Sequence, residues 1–255
     1  MPFLATPNCT LYYDVFEPDV AAAGEAETVL LAHGFGGTAE SDFAGQLPKL
    51  RLRYRVVAPH LHGYGKSSQR SRYPVSYYRD DVVDLIALLD ALHIERVLVL
   101  AFSDGAISAL LLAALHPQRV MKLAAMGAQP SINEENVAAI RHWLLERPLS
   151  EEWQEELARL HGEPYWRELP RMYVEAQVAL VGAGGVLITD EELASIRCPS
   201  LIMHGIRDRI VPADYARYIQ QHIPNSQLLL FDAGHAAHLR CEEEYTAAVM
   251  RFFES

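Results

Sequence analysis

Cysteine is scarce in this chain. There are three, Cys9, Cys198 and Cys241, among 255 residues. No two stand at C-x-x-C spacing, and an odd number cannot close a complete disulfide framework. Reduced thiols in a cytoplasmic protein are therefore expected. Basic residues are also in short supply. Lys and Arg number 22 against 33 Asp and Glu, giving a formal net charge of −11. No basic patch is visible, so neither nucleic acid nor an anionic membrane surface is expected as a partner. Long apolar runs are missing as well, and none would span a bilayer. The first residues, Met-Pro-Phe-Leu-Ala-Thr-Pro, lack the basic start and apolar core of a signal peptide. Repeats and low-complexity tracts are absent.

What is present is apolar residue in quantity. Half of the chain is hydrophobic, enough for one large core. Leu11, Tyr13 and Val15 alternate with polar neighbours like a half-exposed edge strand, followed by a linker around Ala21 to Glu25. Then short apolar runs begin, at Thr28 to His33 and at Tyr54 to Pro59, with a helix expected between them at Phe43 to Leu50. Val82, Leu85, Ile86, Leu89 and Leu92 mark one face of a helix over Asp80 to Leu92. Alternating strand and helix patterns predict an α/β fold with a mostly parallel central sheet flanked by helices.

The alternation stops after Gly127. From Ser131 to Ser195 the pattern is helical, without a convincing strand, and holds all three tryptophans, Trp143, Trp153 and Trp166. Residues 131–195 are expected to form an inserted helical cap on a core built from 1–130 and 196–255. Tryptophans in such an insert suit either lining a pocket or packing the insert onto the core. Strands resume at Ser200 to His204 and Gln227 to Phe231, with helices from Pro212 to Gln221 and Glu242 to Phe253.

The chemistry is concentrated at Ala101-Phe102-Ser103-Asp104-Gly105, between the apolar run Val97 to Leu100 and the Ala- and Leu-rich stretch Ala106 to Leu115. This is a strand, a sharp turn and a helix, with a Ser at the turn. Such an elbow usually reads G-x-S-x-G, because strand and helix approach closely; Ala101 is a mild departure. Three further strand-end loops carry reactive residues, the place where parallel sheets bind ligands. They are His33-Gly-Phe-Gly-Gly37, the loop with Asp208, and the loop with His235. A Ser nucleophile needs a base, and the base needs a carboxylate to hold its tautomer. Ser103, Asp208 and His235 fit those roles in that chain order. His238 is the competing base, and Asp232 and Asp214 are weaker substitutes for Asp208. The oxyanion donors are expected to be the backbone amides of Asp104 and of either Phe35 or Gly36.

These motifs, with Ser41-Asp-Phe43, Gln46-Leu47, Gly63-Tyr-Gly65, Ser67, Cys198-Pro199, His204-Gly205, Gly234-His235 and His238-Leu-Arg240, resemble the α/β-hydrolase superfamily over nearly the whole chain. Within it the chain is most similar to the biphenyl hydrolase-like group, which hydrolyses α-amino acid esters. The resemblance implies an α/β-hydrolase fold, a serine esterase activity on small ester substrates without a cofactor, and a role for Asp104 in recognising the substrate amine. Electrostatics points the same way. A carboxylate ~7 Å from a developing oxyanion, at an effective dielectric of about 20, opposes it by on the order of 2 kcal/mol. A substrate ammonium cancels that penalty. Asp in a first helical turn also favours the macrodipole, by ~0.3 to 1 kcal/mol, which gives Asp104 a purely structural alternative.

One departure stands out. Many relatives have Asp-x-Arg-Gly where this chain has His60-Leu-His62-Gly63, so a buried ion pair is missing or replaced. Structural or pH-sensitive roles are expected for these histidines, and no metal site, since no third ligand stands at suitable spacing. Alternatives to the ester reading are a C–C bond hydrolase or peptidase of the same fold, or a ligand-binding receptor.

Overall fold

A computed structural model of the chain describes residues 2–19 and 26–255; the expected linker around Ala21 to Glu25 falls outside them. Eight strands form one sheet in the order β1-β2-β4-β3-β5-β6-β7-β8. The strands are β1 (Phe3–Ala5), β2 (Thr10–Phe16), β3 (Thr28–Ala32), β4 (Arg55–His60), β5 (Val97–Phe102), β6 (Val120–Met126), β7 (Ser200–Gly205) and β8 (Ser226–Phe231). The pairings of β2 with β1 and β4 are antiparallel, and all others are parallel. The strand containing Leu11, Tyr13 and Val15 is therefore not an edge. The short β1 covers its outer side, and Tyr12 as well as Leu11 is buried.

The sheet divides the core by the two-residue period of its strands. Leu30, Ala32, Val97, Val99 and Ala101 point to one face, where they meet Leu85, Leu88 and Leu89 of α3 (Tyr77–Ala91) and the apolar residues of α4 (Asp104–Leu115). Val29, Leu31, Leu98 and Leu100 point to the other, against Phe43, Tyr245, Val249 and Phe253. Every residue of β3 and β5 is buried, as an apolar strand covered on both faces requires. The helix expected over Phe43 to Leu50 is instead two single turns, α1 (Ala39–Asp42) and α2 (Leu47–Leu50). Gly45 lies between them, and Pro48 sits in the first turn of α2, where its missing N–H costs nothing.

Beyond β6 come α5 (Glu134–Arg141), a π-helical turn (His142–Glu146), α6 (Glu151–His161), α7 (Tyr165–Gly182) and α8 (Asp190–Ser195). An isolated antiparallel bridge joins Ser131 to Val186, so this excursion leaves and returns at one place. Helices α5 and α6 both pack on α7, whereas α8 packs on α4 and on α9 (Asp214–His222). The chain closes with α10 (Ala237–Arg240) and α11 (Glu242–Glu254). Among the described residues, no helix is long and apolar enough to cross a membrane.

Candidate active site

Ser103 sits between β5 and α4 with φ 53° and ψ −121°, in a region that a side-chain-bearing residue rarely occupies. Its amide donates to the Met126 carbonyl on β6 (2.8 Å), which anchors the strained turn to the sheet. The second small residue of the elbow has a direct reason. A Cβ on Gly105 would lie 2.3 Å from the Ala32 carbonyl oxygen and 2.5 Å from that of His33. Gly105→Ala is accordingly expected to destabilise the fold by roughly 1–3 kcal/mol, read as a lowered Tm in thermal unfolding. An unchanged Tm would mean that the elbow is looser than this contact implies.

The other two expected site residues converge on this Ser. His235, in the loop between β8 and α10, places Nε2 2.9 Å from Ser103 Oγ and Nδ1 2.6 Å from Asp208 Oδ2. Asp208, after β7, has a fully buried side chain. Burial alone would raise its pKa, but hydrogen bonds from His204 and His235, the His235 charge and the Val211 amide hold it well below the usual carboxylate range. The Ile210 and Val211 amides both donate to its Oδ1, at 2.8 and 3.0 Å. His204 is an addition that spacing did not reveal. It is buried beneath Asp208, with Nε2 3.1 Å from Asp208 Oδ2 and 2.9 Å from the Val211 carbonyl.

The substitutes lie elsewhere. His238 is buried on α10 against the Phe102 ring (4.1 Å between centroids), with neither ring nitrogen hydrogen-bonded, and burial lowers its pKa to about 3. Asp232 is exposed and pairs with Arg207, and Asp214 is an exposed residue of α9.

A cavity of about 360 Å³ opens over Ser103. Apolar walls come from Phe35, Phe102, Ile107, Ile140, Ile210 and Val211, and Trp143 and Trp153, stacked at 5.0 Å, form part of its roof. Trp166 is buried outside it. The polar lining is one-sided: it includes Asp42, Asp104 and Glu156 and no Lys or Arg. Asp42 accepts from the Gly34 amide (2.8 Å), and burial pushes its carboxyl up to about 7. Gln129, after β6, is buried in the lining, and its side-chain oxygen has no hydrogen-bond partner.

Asp104 is 6 % exposed. Its Oδ1 accepts from the hydroxyls of Tyr78 on α3 (2.9 Å) and Tyr173 on α7 (2.8 Å), while Oδ2 has only Tyr77 at 3.5 Å. Burial pushes its carboxyl up to about 6, opposed by the Tyr173 and Tyr78 hydrogen bonds and by His235. No Lys or Arg among the described residues neutralises it. The amides of Phe35, Gly36 and Asp104 donate to no protein acceptor among the described residues. Phe35 lines the cavity, and the Gly36 carbonyl accepts from His161 Nε2 (2.9 Å).

The missing ion pair of the loop after β4 is replaced by another. Arg70 donates to Asp81 on α3 (2.7 Å), with side chains 3 % and 5 % exposed, and to the His62 carbonyl (2.8 Å). His60 Nδ1 accepts from the Lys66 amide (3.0 Å), a structural role.

Residues 29–248 match the profile of the Alpha/beta hydrolase family. The chain belongs to that family. It is 32% identical over 243 residues to the serine hydrolase BPHL of Mus musculus, covering 91% of this chain and 81% of that protein. To the 2-hydroxy-6-oxo-2,4-heptadienoate hydrolase of Pseudomonas putida it is 29% identical over 244 residues, 86% of each chain. Among solved structures, the enol-lactonase of Burkholderia xenovorans LB400 superposes with a TM-score of 0.79 over 100% of both chains at 22% identity, which supports the fold alone. The two sequence relatives are both named as hydrolases, which supports a hydrolase class for this chain.

Proposed function

We propose that this α/β-hydrolase cleaves small carboxylic esters whose acyl side carries an α-amino group. The observation that carries the reading is the buried Asp104 carboxylate beside Ser103, unpaired with any Lys or Arg among the described residues and incompletely satisfied at Oδ2. A substrate ammonium supplies the missing counter-charge and donors. His235 takes the Ser103 proton, and Asp208 fixes the His235 tautomer and stabilises the imidazolium. The amides of Asp104 and Phe35 receive the oxyanion, and His235 then activates water to release the acid. Nucleophile, base and donors are all supplied by the chain, so the proposed reaction calls on no cofactor. Residues 131–195 act as a cap, with Ile140, Trp143, Trp153 and Tyr173 closing the cavity over the substrate.

The C–C alternative is disfavoured by the same lining. A dienoate substrate, of the kind named for the Pseudomonas putida relative, brings a carboxylate into a cavity holding three acidic side chains and no cation. Like charges in a low-dielectric site oppose binding by several kcal/mol.

Asp104 gives the reading a pH signature. With its pKa raised to about 6, the carboxylate is mostly ionised at pH 7 and becomes protonated as pH falls through 6. The preference for an amino-acid ester over its N-acetylated form, taken as the ratio of kcat/KM values, is therefore expected to fall as pH drops through 6, and to fall again above about 7.7, where the substrate α-amino group loses its own proton. A change at the shared nucleophile and base affects both esters and cancels in the ratio. A ratio that stays constant from about pH 4.5 to 7.5, ~1.5 units either side of that midpoint, would count against ionised Asp104 as the amine contact.

A further inference from the structure

Away from the cavity, the fold gathers three ligand-type side chains from distant parts of the sequence. Cys9 closes the turn between β1 and β2, His62 lies in the loop after β4, and Asp84 is on α3. The thiol sulfur, an imidazole nitrogen and a carboxylate oxygen all lie within 4.8 Å of one another. Cys9 Sγ is 3.5 Å from Asp84 Oδ2. The other carboxylate oxygen, Oδ1, accepts from the backbone and side-chain amides of Asn8, at 3.2 and 3.1 Å, which fixes the orientation of the group and leaves Oδ2 facing the thiol.

Two features of this cluster lack a partner within the protein. Asp84 is 1 % exposed, yet no Lys or Arg among the described residues pairs with it; Arg70, the cation on this side of α3, is committed to Asp81 and to the His62 carbonyl. The His62 ring has no hydrogen-bond partner among the described residues, and its Nδ1 is shut off from solvent. An unneutralised buried carboxylate and an unpartnered imidazole are both costly, and few persist in a native protein without a ligand or role. Spacing along the sequence showed no third ligand for His62 because Cys9 and Asp84 reach it only through the fold.

We propose that Cys9, His62 and Asp84 form a zinc site that ties the β1–β2 turn to α3 and to the loop after β4. One sulfur, one nitrogen and one oxygen suit Zn²⁺ in tetrahedral geometry, with water in the fourth position. Binding releases the Cys9 proton to solvent, and the resulting thiolate and the Asp84 carboxylate together neutralise the ion. Cys9 and His62 are only half-buried, which leaves the ion a way in. Zinc–ligand bonds of ~2.0 to 2.3 Å put neighbouring ligand atoms closer than 4.8 Å, so a side-chain contraction of about 1 Å completes the site.

A second group, Asp14, Glu40 and His60, offers similar atoms at a similar spread but differs where it matters. His60 Nδ1 already accepts from the Lys66 amide, which puts the ring proton on Nε2 and leaves no free lone pair. The Lys66 ammonium also stands beside it, donating to the Tyr12 hydroxyl that in turn donates to Asp14. Asp14 and the His60 lone pair are thus already engaged within the protein.

The test is a metal titration of the full chain after chelator treatment. Wild type is expected to bind Co²⁺ one to one with a thiolate-to-cobalt charge-transfer band, which Zn²⁺ displaces stoichiometrically. Zn²⁺ is expected to raise the Tm of wild type and not that of Cys9→Ser. The band is expected to vanish in Cys9→Ser, and His62→Gln is expected to weaken Zn²⁺ binding by at least about tenfold. Absence of the band in wild type overturns the proposal. So does a band that survives Cys9→Ser, which would assign the thiolate to Cys198 or Cys241. Should Cys9→Ser fail to fold, wild-type Zn²⁺ affinity in His62→Gln overturns the site, and a tenfold loss supports it. Every readout is binding or stability, so the result is independent of the catalytic reading.

Discussion

Ser103→Ala lowers turnover of any ester the protein accepts by ~10⁴-fold or more, while the oxyanion donors and the cavity remain to bind substrate. The expectation follows from the placement of Oγ 2.9 Å from His235 Nε2, with Asp208 2.6 Å behind on Nδ1. Because the three act as one unit, His235→Ala is expected to cost about as much, and the double variant little more than either single one. The measurement is kcat under saturating substrate, with a thermal melt to show that the variant is folded. Near wild-type turnover in folded Ser103→Ala would remove Ser103 as nucleophile and leave the elbow as a helix start.

The largest stability effect is expected at Arg70. Its guanidinium and the Asp81 carboxylate are almost completely buried, and Arg70 also holds the His62 carbonyl and stands over the ring of Tyr73 at 5.2 Å. Removing one partner of a buried pair strands the other charge, at a cost of about 3–5 kcal/mol. Arg70→Ala is therefore expected to unfold at markedly lower denaturant concentration. Replacing both partners, as Arg70→Met with Asp81→Leu, is expected to recover most of the loss, since the penalty comes from the stranded charge. If Arg70→Ala is as stable as wild type, the pair does not stabilise the loop after β4.

These two results draw on parts of the molecule that differ in how plainly the sequence announced them. Ser103, Asp208 and His235 were legible because each follows a short apolar strand, and strand-end loops of a parallel sheet meet at one edge whatever lies between them. The strands themselves were legible because burial on both faces demands unbroken apolar runs, as at Val97 to Leu100. The Arg70–Asp81 pair was not. Arg70 lies in a loop, and Asp81, although inside the helix expected over Asp80 to Leu92, gives no local sign of a buried partner; that expectation started the helix three residues late, since it begins at Tyr77. That shortfall also hid Tyr78, whose hydroxyl holds Asp104 together with Tyr173 from α7. Tyr173 has no local signal at all, because a hydroxyl reaching across from a helical insert leaves no periodic trace. Gln129 was hidden for the same reason, and His204, legible as part of a strand-end motif, gave no sign of its hold on Asp208: the surroundings of both are made by tertiary contact, not by neighbours in sequence. The short β1 escaped because three residues carry too little pattern to be read.

The proposed substrate choice turns on Asp104, whose side chain can be removed without touching the amide that is assigned to the oxyanion. The decisive measurement is kcat/KM for an amino-acid ester and its N-acetylated counterpart, at pH 7.5, with wild type and Asp104→Ala. Wild type is expected to prefer the free amine by tenfold or more, roughly 1.4 kcal/mol, with Asp104→Ala losing that preference while still cleaving the N-acetylated ester. Equal cleavage of both esters by wild type, or a preference that survives Asp104→Ala, would contradict it.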